Sequence, residues 1–278
     1  MSTATTISQV ERKPGLLGQT VIVIGGSSGI GLEVARQAQA EGAKLILTGR
    51  KPEPLQRAAS EVDALSTSAF DATDPALLEQ FFRNLPTTID HIMVTAGQPY
   101  YGRLIDMDVD QARRALDEHL MLFLGIARNA AHKMRPGGTL VFMASAGSRR
   151  PAIGIGAAST VATALPALAA NLALELAPAR VNVIAAGFVD SPLSASVLGD
   201  RLESRRNELR AKLPIRRVIE PADVAALGVH IMINTAITGA TYDIDGGQQL
   251  VSGGVRAGRD SYRQDFSFER SLMSWTAL

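Results

Sequence analysis

Apolar residues recur along the chain in two alternating rhythms. Short aliphatic and β-branched runs bounded by glycine read as strands at 20–25 (TVIVIG), 44–49 (KLILTG), 65–70, 90–97 (DHIMVTAG), 139–145, 180–187 (RVNVIAAG) and 240–247. Between them, apolar residues fall at helical spacing over 31–42, about 53–63, a stretch after Asp74-Pro75, roughly 109–134, a segment ending near Ala177, 200–213 and 222–234. Asp74 suits an N-cap and Pro75 the first helical position.

The strand runs are continuously apolar instead of alternating, which predicts a parallel sheet covered on both faces. Right-handed crossovers then give a doubly wound α/β (Rossmann) sheet of about seven strands in a single domain, residues 15–250. Residues 1–14 read as an N-terminal arm and 251–278 as a C-terminal tail that starts Gly-rich and then carries Tyr262, Phe266, Phe268 and Trp275. That tail is either flexible or an arm docked on its own or a neighbouring subunit, because exposed aromatics are costly in water.

No charge occurs between Arg150 and Glu175. Its Pro151, Gly154, Gly156, Pro166 and Asn171, and its many alanines, favour a buried helix of a soluble protein over a membrane span. A sheet-packed helix needs one apolar face, so the bare outer face predicts a homo-oligomer, a tetramer or dimer. Pro166 either kinks this helix or marks a late start with Thr163 near the cap.

The balance of 28 basic against 27 acidic residues gives no electrostatic case for nucleic acid or an anionic membrane. Absence of cysteine excludes disulfides, zinc–thiolate sites and thiol nucleophiles. His91, His119, His132 and His230 are scattered, so no metal site is expected. The first 15 residues contain no apolar signal segment, and a cytoplasmic protein is expected.

The first strand runs into Gly25-Gly-Ser-Ser-Gly-Ile-Gly31 and then a helix. Gly25, Gly29 and Gly31 allow a tight turn and close approach of a pyrophosphate to the helix N-terminus. This spacing, with T-G-R at 48–50, Asp71, A-G at 96–97, Ser145, L-A-L-E-L-A-P at 172–178, R-V-N at 180–182, G-F-V-D-S-P at 187–192 and Y-D-I-D-G-G at 242–247, resembles the short-chain dehydrogenase/reductase family over roughly residues 15–250. The resemblance implies a nicotinamide cofactor held by Gly25, Ser27, Ser28, Gly29, Ile30 and Gly31. Ala96 and Gly97 would close the fourth strand against it, Asp71 would bind the adenine amine, and Gly187, Val189 and Ser191 would lie at the nicotinamide end. No acid ends the second strand; Arg50 stands there instead, placed to pair with a 2′-phosphate, so the expected cofactor is NADP(H).

The family's catalytic tetrad is a Tyr, a Lys four residues later, a Ser thirteen residues before the Tyr, and an Asn on the preceding long helix. Ser145 matches the serine, but the Tyr and Lys positions hold Ala158 and Ala162, and His119 falls at the Asn position. Alanine cannot transfer a proton, and general acid–base help is worth about 10²–10⁴-fold. His119 is one candidate substitute, because imidazole exchanges protons near neutral pH. Tyr101, with Tyr100 beside it after the fourth strand, is another, and Tyr262 in the tail a third. The resulting expectation is an NADP(H)-dependent oxidoreductase acting on a small-molecule carbonyl/alcohol or imine/amine with a non-standard proton relay. Two alternatives stay open: a non-catalytic NADP-binding sensor or oligomer partner, and a redox-neutral lyase, isomerase or cyclase. The Ser- and Leu-rich 188–213 segment suggests a small to medium, partly apolar substrate.

Overall fold

In a computed structural model, the described residues are 13–85, 88–97 and 99–251. Residues 1–12 of the arm and 252–278 of the tail, Tyr262 included, lie outside them. The chain alternates β1 (Thr20–Ile24), α1 (Gly29–Ala40), β2 (Lys44–Gly49), α2 (Pro52–Glu61), β3 (Ser66–Ala69), α3 (Pro75–Asn84) and β4 (Ile89–Val94). It continues with α4 (Val109–Leu116), a π-turn (Asp117–Met121), α5 (Leu122–Ala130), β5 (Met134–Ser145), α6 (Gly156–Glu175) and β6 (Arg180–Ala186), then α7 (Pro192–Leu198), α8 (Leu202–Lys212), α9 (Pro221–Ile233) and β7 (Thr241–Ile244).

All seven strands are parallel, in the order β3-β2-β1-β4-β5-β6-β7. The winding reverses between β1 and β4, and the crevice above that switch point is where open α/β sheets take ligands. Two cores cover the faces. Ile22, Ile24, Ile92 and Phe142 pack with α3, α5 and α6; Val21, Val23, Met93 and Val141 pack with α1, α2 and α9. Phe123 stacks on Phe142 at 4.5 Å between ring centroids in the first core. Asp74 caps α3 as its sequence implies, its side chain accepting from the Ala76 and Leu77 N–H groups.

Several boundaries differ from those read in the pattern. The long helix expected to about 134 ends at Ala130 and is broken by the π-turn, which inserts a residue into the helical ladder and re-aims the side chains on it. The strand expected from 139 begins at Met134, with an irregular register between Ile89 and His91. Helix α6 starts at Gly156, so Pro166 lies inside it and the late start near Thr163 is wrong. Pro166 has no N–H, so the Ala162 carbonyl loses its helical donor. The α6 positions facing the sheet include Ala169 and Ala173, which are buried; the bare outer face is carried by Thr163, Ala167, Ala170 and Leu174. By length and composition this helix could cross a membrane, yet here it packs on β5 and β6 as one layer of the fold.

Candidate active site

The glycine-rich loop joins β1 to α1. A side chain at Gly31 would place its Cβ 2.2 Å from the Gly25 carbonyl oxygen, so only glycine lets the helix start so close above the strand end. Gly25 itself has φ +97°. The Gly25 and Gly26 N–H groups donate to the Thr48 carbonyl at 3.2 and 2.9 Å, and the Thr95 hydroxyl donates to the carbonyls of Ile24 and Gly25. Ser28 is the N-cap residue but makes no side-chain cap bond, which leaves the first-turn N–H groups of α1, Ile30 and Gly31 among them, available to an anion.

Of the residues expected around the cofactor, Ser27, Arg50 and Asp71 follow the C-terminal ends of β1, β2 and β3. The Ser27 side chain rests against Gly49, whose Cβ position would lie 3.1 Å from Ser27 Oγ, so Ser27 borders the strand end that carries Arg50. Arg50 is exposed and forms no ion pair among the described residues. Asp71 accepts from the Thr73 N–H and hydroxyl through Oδ1 at 3.0 and 2.8 Å, and Oδ2 remains for another donor. Across the crevice, Gly29 faces Ser191 and Pro192, so the loop after β6 lies against the glycine-rich loop. Val189 is buried and pairs with Ile219, and Ser191 caps α7 by accepting from the Ser194 N–H. Asp190 between them accepts from Nε and Nη2 of Arg206, each at 2.8 Å.

At the reaction end, Val94 of β4 is in register with Phe142 of β5. Gly97 follows the end of β4 by three residues and Ser145 ends β5, so both stand at the C-terminal edge of adjacent parallel strands. Ser145 pairs with Ala186 of β6, is exposed, and has no hydrogen-bond partner for its hydroxyl among the described residues. The π-turn brings His119 to Gly97: a Cβ at Gly97 would lie 3.0 Å from His119 Nε2. Helix α6 packs against this π-turn and β5, with Ala158 half-buried and Ala162 buried. Gly97 and His119 thus meet at the C-terminal edge of β4, beside the strand that ends at Ser145, and α6 packs on the π-turn that carries His119.

The tyrosines are placed differently. Tyr101 keeps 48% of its surface exposed, and partial burial of its ring pushes the phenol pKa up from the usual value. It remains protonated at neutral pH and can donate a hydrogen bond, but it lacks the lowered pKa that a phenol base needs. No hydrogen bond joins Tyr101 to Ser145 among the described residues. The Tyr100 hydroxyl donates to Glu118 Oε1 at 3.4 Å, and burial raises the Glu118 carboxyl pKa.

Two residues escaped the sequence reading. Gln248 and Gln249, just past the D-G-G of 245–247, reach the loops after β5 and β6. Their only signal was position, in a turn leaving the last strand at the ligand-binding edge of the sheet.

A doubly wound sheet with a glycine-rich turn at the first strand and a convergent polar crevice defines a dinucleotide-binding α/β domain. The comparisons agree on a narrower group. The family model described as enoyl-(acyl carrier protein) reductase matches residues 24–249. Dehydrogenase/reductase SDR family member 4 of Oryctolagus cuniculus is 30% identical over 254 residues, covering 86% of this chain and 97% of the relative. The solved structure of MalC Reductase/Diels-Alderase from Malbranchea aurantiaca superposes with a TM-score of 0.79 at 27% identity, covering 86% of this chain and 99% of that one. That of BdcA in complex with NADPH gives 0.74 at 26% identity, covering 84% and 95%. The chain belongs to the short-chain dehydrogenase/reductase family.

Proposed function

We propose that the protein is an NADP(H)-dependent oxidoreductase that reduces a small-molecule carbonyl or imine, or runs the reverse, with a non-standard proton relay. The observation that carries this reading is the juxtaposition of a complete glycine-rich cradle with Ser145 and His119 at one strand edge. Gly25, Ser27, Ser28, Gly29, Ile30 and Gly31 would hold the pyrophosphate, Arg50 with Ser27 the 2′-phosphate, Asp71 the adenine, and Gly187, Val189 and Ser191 the nicotinamide end. The bound cofactor would supply the hydride. Ser145, with its hydroxyl uncommitted, donates a hydrogen bond to the substrate oxygen and polarises it. His119 holds or delivers the proton that Ala158 cannot. Tyr101, protonated at the rim, orients substrate. The NADPH named for BdcA and for a second solved relative of 26% identity supports this cofactor choice.

A second reading is favoured by Ala158 and Ala162 themselves. A cycloaddition requires a shaped, apolar pocket and no proton transfer, so alanine at these two positions does not impair it. The MalC relative is named for both activities, reductase and Diels-Alderase. A substrate panel followed by nicotinamide absorbance and by product mass separates the readings. Cofactor oxidation supports the first, and product without any change in nicotinamide absorbance supports the second. Cofactor binding with neither result points to a non-catalytic NADP-binding protein.

The protein acts, in this reading, as a homo-oligomer, a tetramer or dimer. Leu116, Met121, Leu124 and Leu174 present an exposed apolar surface along α4, the π-turn, α5 and α6. A second copy of the same surface covers it across a two-fold axis. Light scattering of wild type and of Ala170→Glu tests this: the charged variant falls in mass, whereas a monomeric wild type or an unchanged variant contradicts it.

A further inference from the structure

The turn 245–249 after β7 reaches both loops that frame the reaction end. Asp245 builds the turn, its carboxylate accepting from the N–H groups of Gly247 and Gln249 at 2.8 Å each. From that base the Phe188 N–H donates to Gln248 Oε1 at 3.0 Å, which fixes the loop after β6. The Gln249 side-chain amide donates to the Ala146 carbonyl, which fixes the loop after β5. The contact with Gly187 is close: a Cβ there would lie 2.8 Å from Gln248 Oε1 and 2.9 Å from Asp245 Cα. Because Oε1 is engaged by Phe188, the Gln248 amide cannot flip without losing that bond, and its Nε2 is directed to the other loop. A Cβ at Gly147 would lie 3.6 Å from Gln248 Nε2 and 3.7 Å from Ser145 Oγ.

We propose that Gln248 and Gln249 are positioning residues: they set the separation between Ser145 and the 187–191 loop, and so place the nicotinamide end of the cofactor relative to the reacting atom of the substrate. The inference rests on the NADP(H) reading above. The two loops are otherwise joined at their roots by the Ala146 N–H donating to the Ala186 carbonyl at 2.8 Å, and each is tied separately to β7, by the Gly187 N–H to the Ile244 carbonyl at 2.9 Å and by Arg149 to Asp243 at 2.6 Å. Beyond those roots the two glutamines supply the side-chain link between Ala146 and Phe188. The adenosine half of the crevice, at Ser27, Arg50 and Asp71, lies on the opposite side of β1 and does not touch the turn.

The test compares NADPH with 2′-phospho-ADP-ribose, which lacks the nicotinamide, by titration calorimetry on the full chain. Gln248→Met keeps the length and removes the acceptor; it weakens NADPH about tenfold and leaves 2′-phospho-ADP-ribose within about twofold. Gln248→Glu keeps an acceptor for Phe188 and restores NADPH affinity. Equal weakening of both ligands, wild-type NADPH affinity in Gln248→Met, or a Glu variant as weak as Met overturns the proposal. If Gln248→Met does not fold, Gln249→Met must show the same split between ligands, and its absence overturns the proposal equally. A wild type that binds neither ligand overturns the NADP(H) reading itself, and this inference with it. Failure confined to the variants leaves that reading standing.

Discussion

The two ends of the parallel sheet use polar residues in opposite ways. At the N-terminal ends of the strands most buried polar groups are engaged, although His91 Nδ1 and Thr139 Oγ1 have no hydrogen-bond partner among the described residues. Arg180, 5% exposed, donates to the carbonyls of Ile231 and Met232 in the last turn of α9, to those of Asn234 and Ile237 just beyond it, and to that of Gly137. Asp90 accepts from the Thr20 N–H at 2.8 Å and pairs with Arg135 at 3.0 Å, and His91 Nε2 meets Gln19 Oε1 at 2.7 Å. At the C-terminal ends the same kinds of group are left open. Among the described residues the Ser145 hydroxyl forms no hydrogen bond, the Ser28 side chain does not cap α1, and Arg50 forms no ion pair. Polar groups satisfied within the fold contribute stability; groups left open at a strand edge await a ligand. The separation follows from chain direction, since every parallel strand delivers its C-terminal loop to one side.

Substitutions at the two ends should therefore separate stability from binding. The largest effect is expected at Arg180. Arg180→Met leaves the α9 carbonyls buried without a donor and costs about 3–5 kcal/mol, seen as a fall in Tm on the order of 10 °C. A loss under about 1 kcal/mol would mean that the cap carries no load. Next comes the pH response of His91, whose pKa burial lowers to about 4. The folded value lies below the unfolded one of about 6.5, so the unfolded chain takes the proton first. Stability is full above the unfolded pKa and falls as pH drops toward 4, by about 3 kcal/mol when complete. Denaturant melts of wild type and His91→Gln between those pH values should diverge at high pH and converge at low pH; parallel curves would contradict the assignment. The smallest stability effects belong to the open end. Ser145→Ala and Arg50→Ala should each change unfolding free energy by under about 0.5 kcal/mol, and a larger loss in denaturant melts would show that these residues hold the fold together.

The same contrast explains what was legible in the sequence. Continuous apolar runs mark β1, β4 and β6 because both of their faces are buried, and the Asp74-Pro75 pair marks α3 because its cap is local. Helix α7 carried a matching local signal, Ser191 before Pro192, that went unread. The cofactor loop was readable because its glycines answer a local backbone demand at Gly31. The π-turn was not, since it packs against α6, a segment distant in sequence, and the residues 117–121 alone carry no mark of it. Nor was the role of Gln248 and Gln249, whose partners lie 60 and 103 residues away. Ala169 and Ala173 show a further limit: in a helix of alanine and leucine all round, composition does not tell the inner face from the outer one, and the sheet decides.

The central claim is that the open end of the sheet is an NADP(H) site whose selectivity resides at Arg50. Side-by-side titration of NADPH and NADH into wild type and Arg50→Ala tests it most directly. A charge-assisted contact to the 2′-phosphate is worth about 1.5–3 kcal/mol, or roughly 10–100-fold in affinity. The account predicts that wild type binds NADPH more tightly than NADH by that factor, and that Arg50→Ala loses most of the difference while NADH affinity stays unchanged. Equal affinities in wild type, or a preference that survives Arg50→Ala, would contradict it.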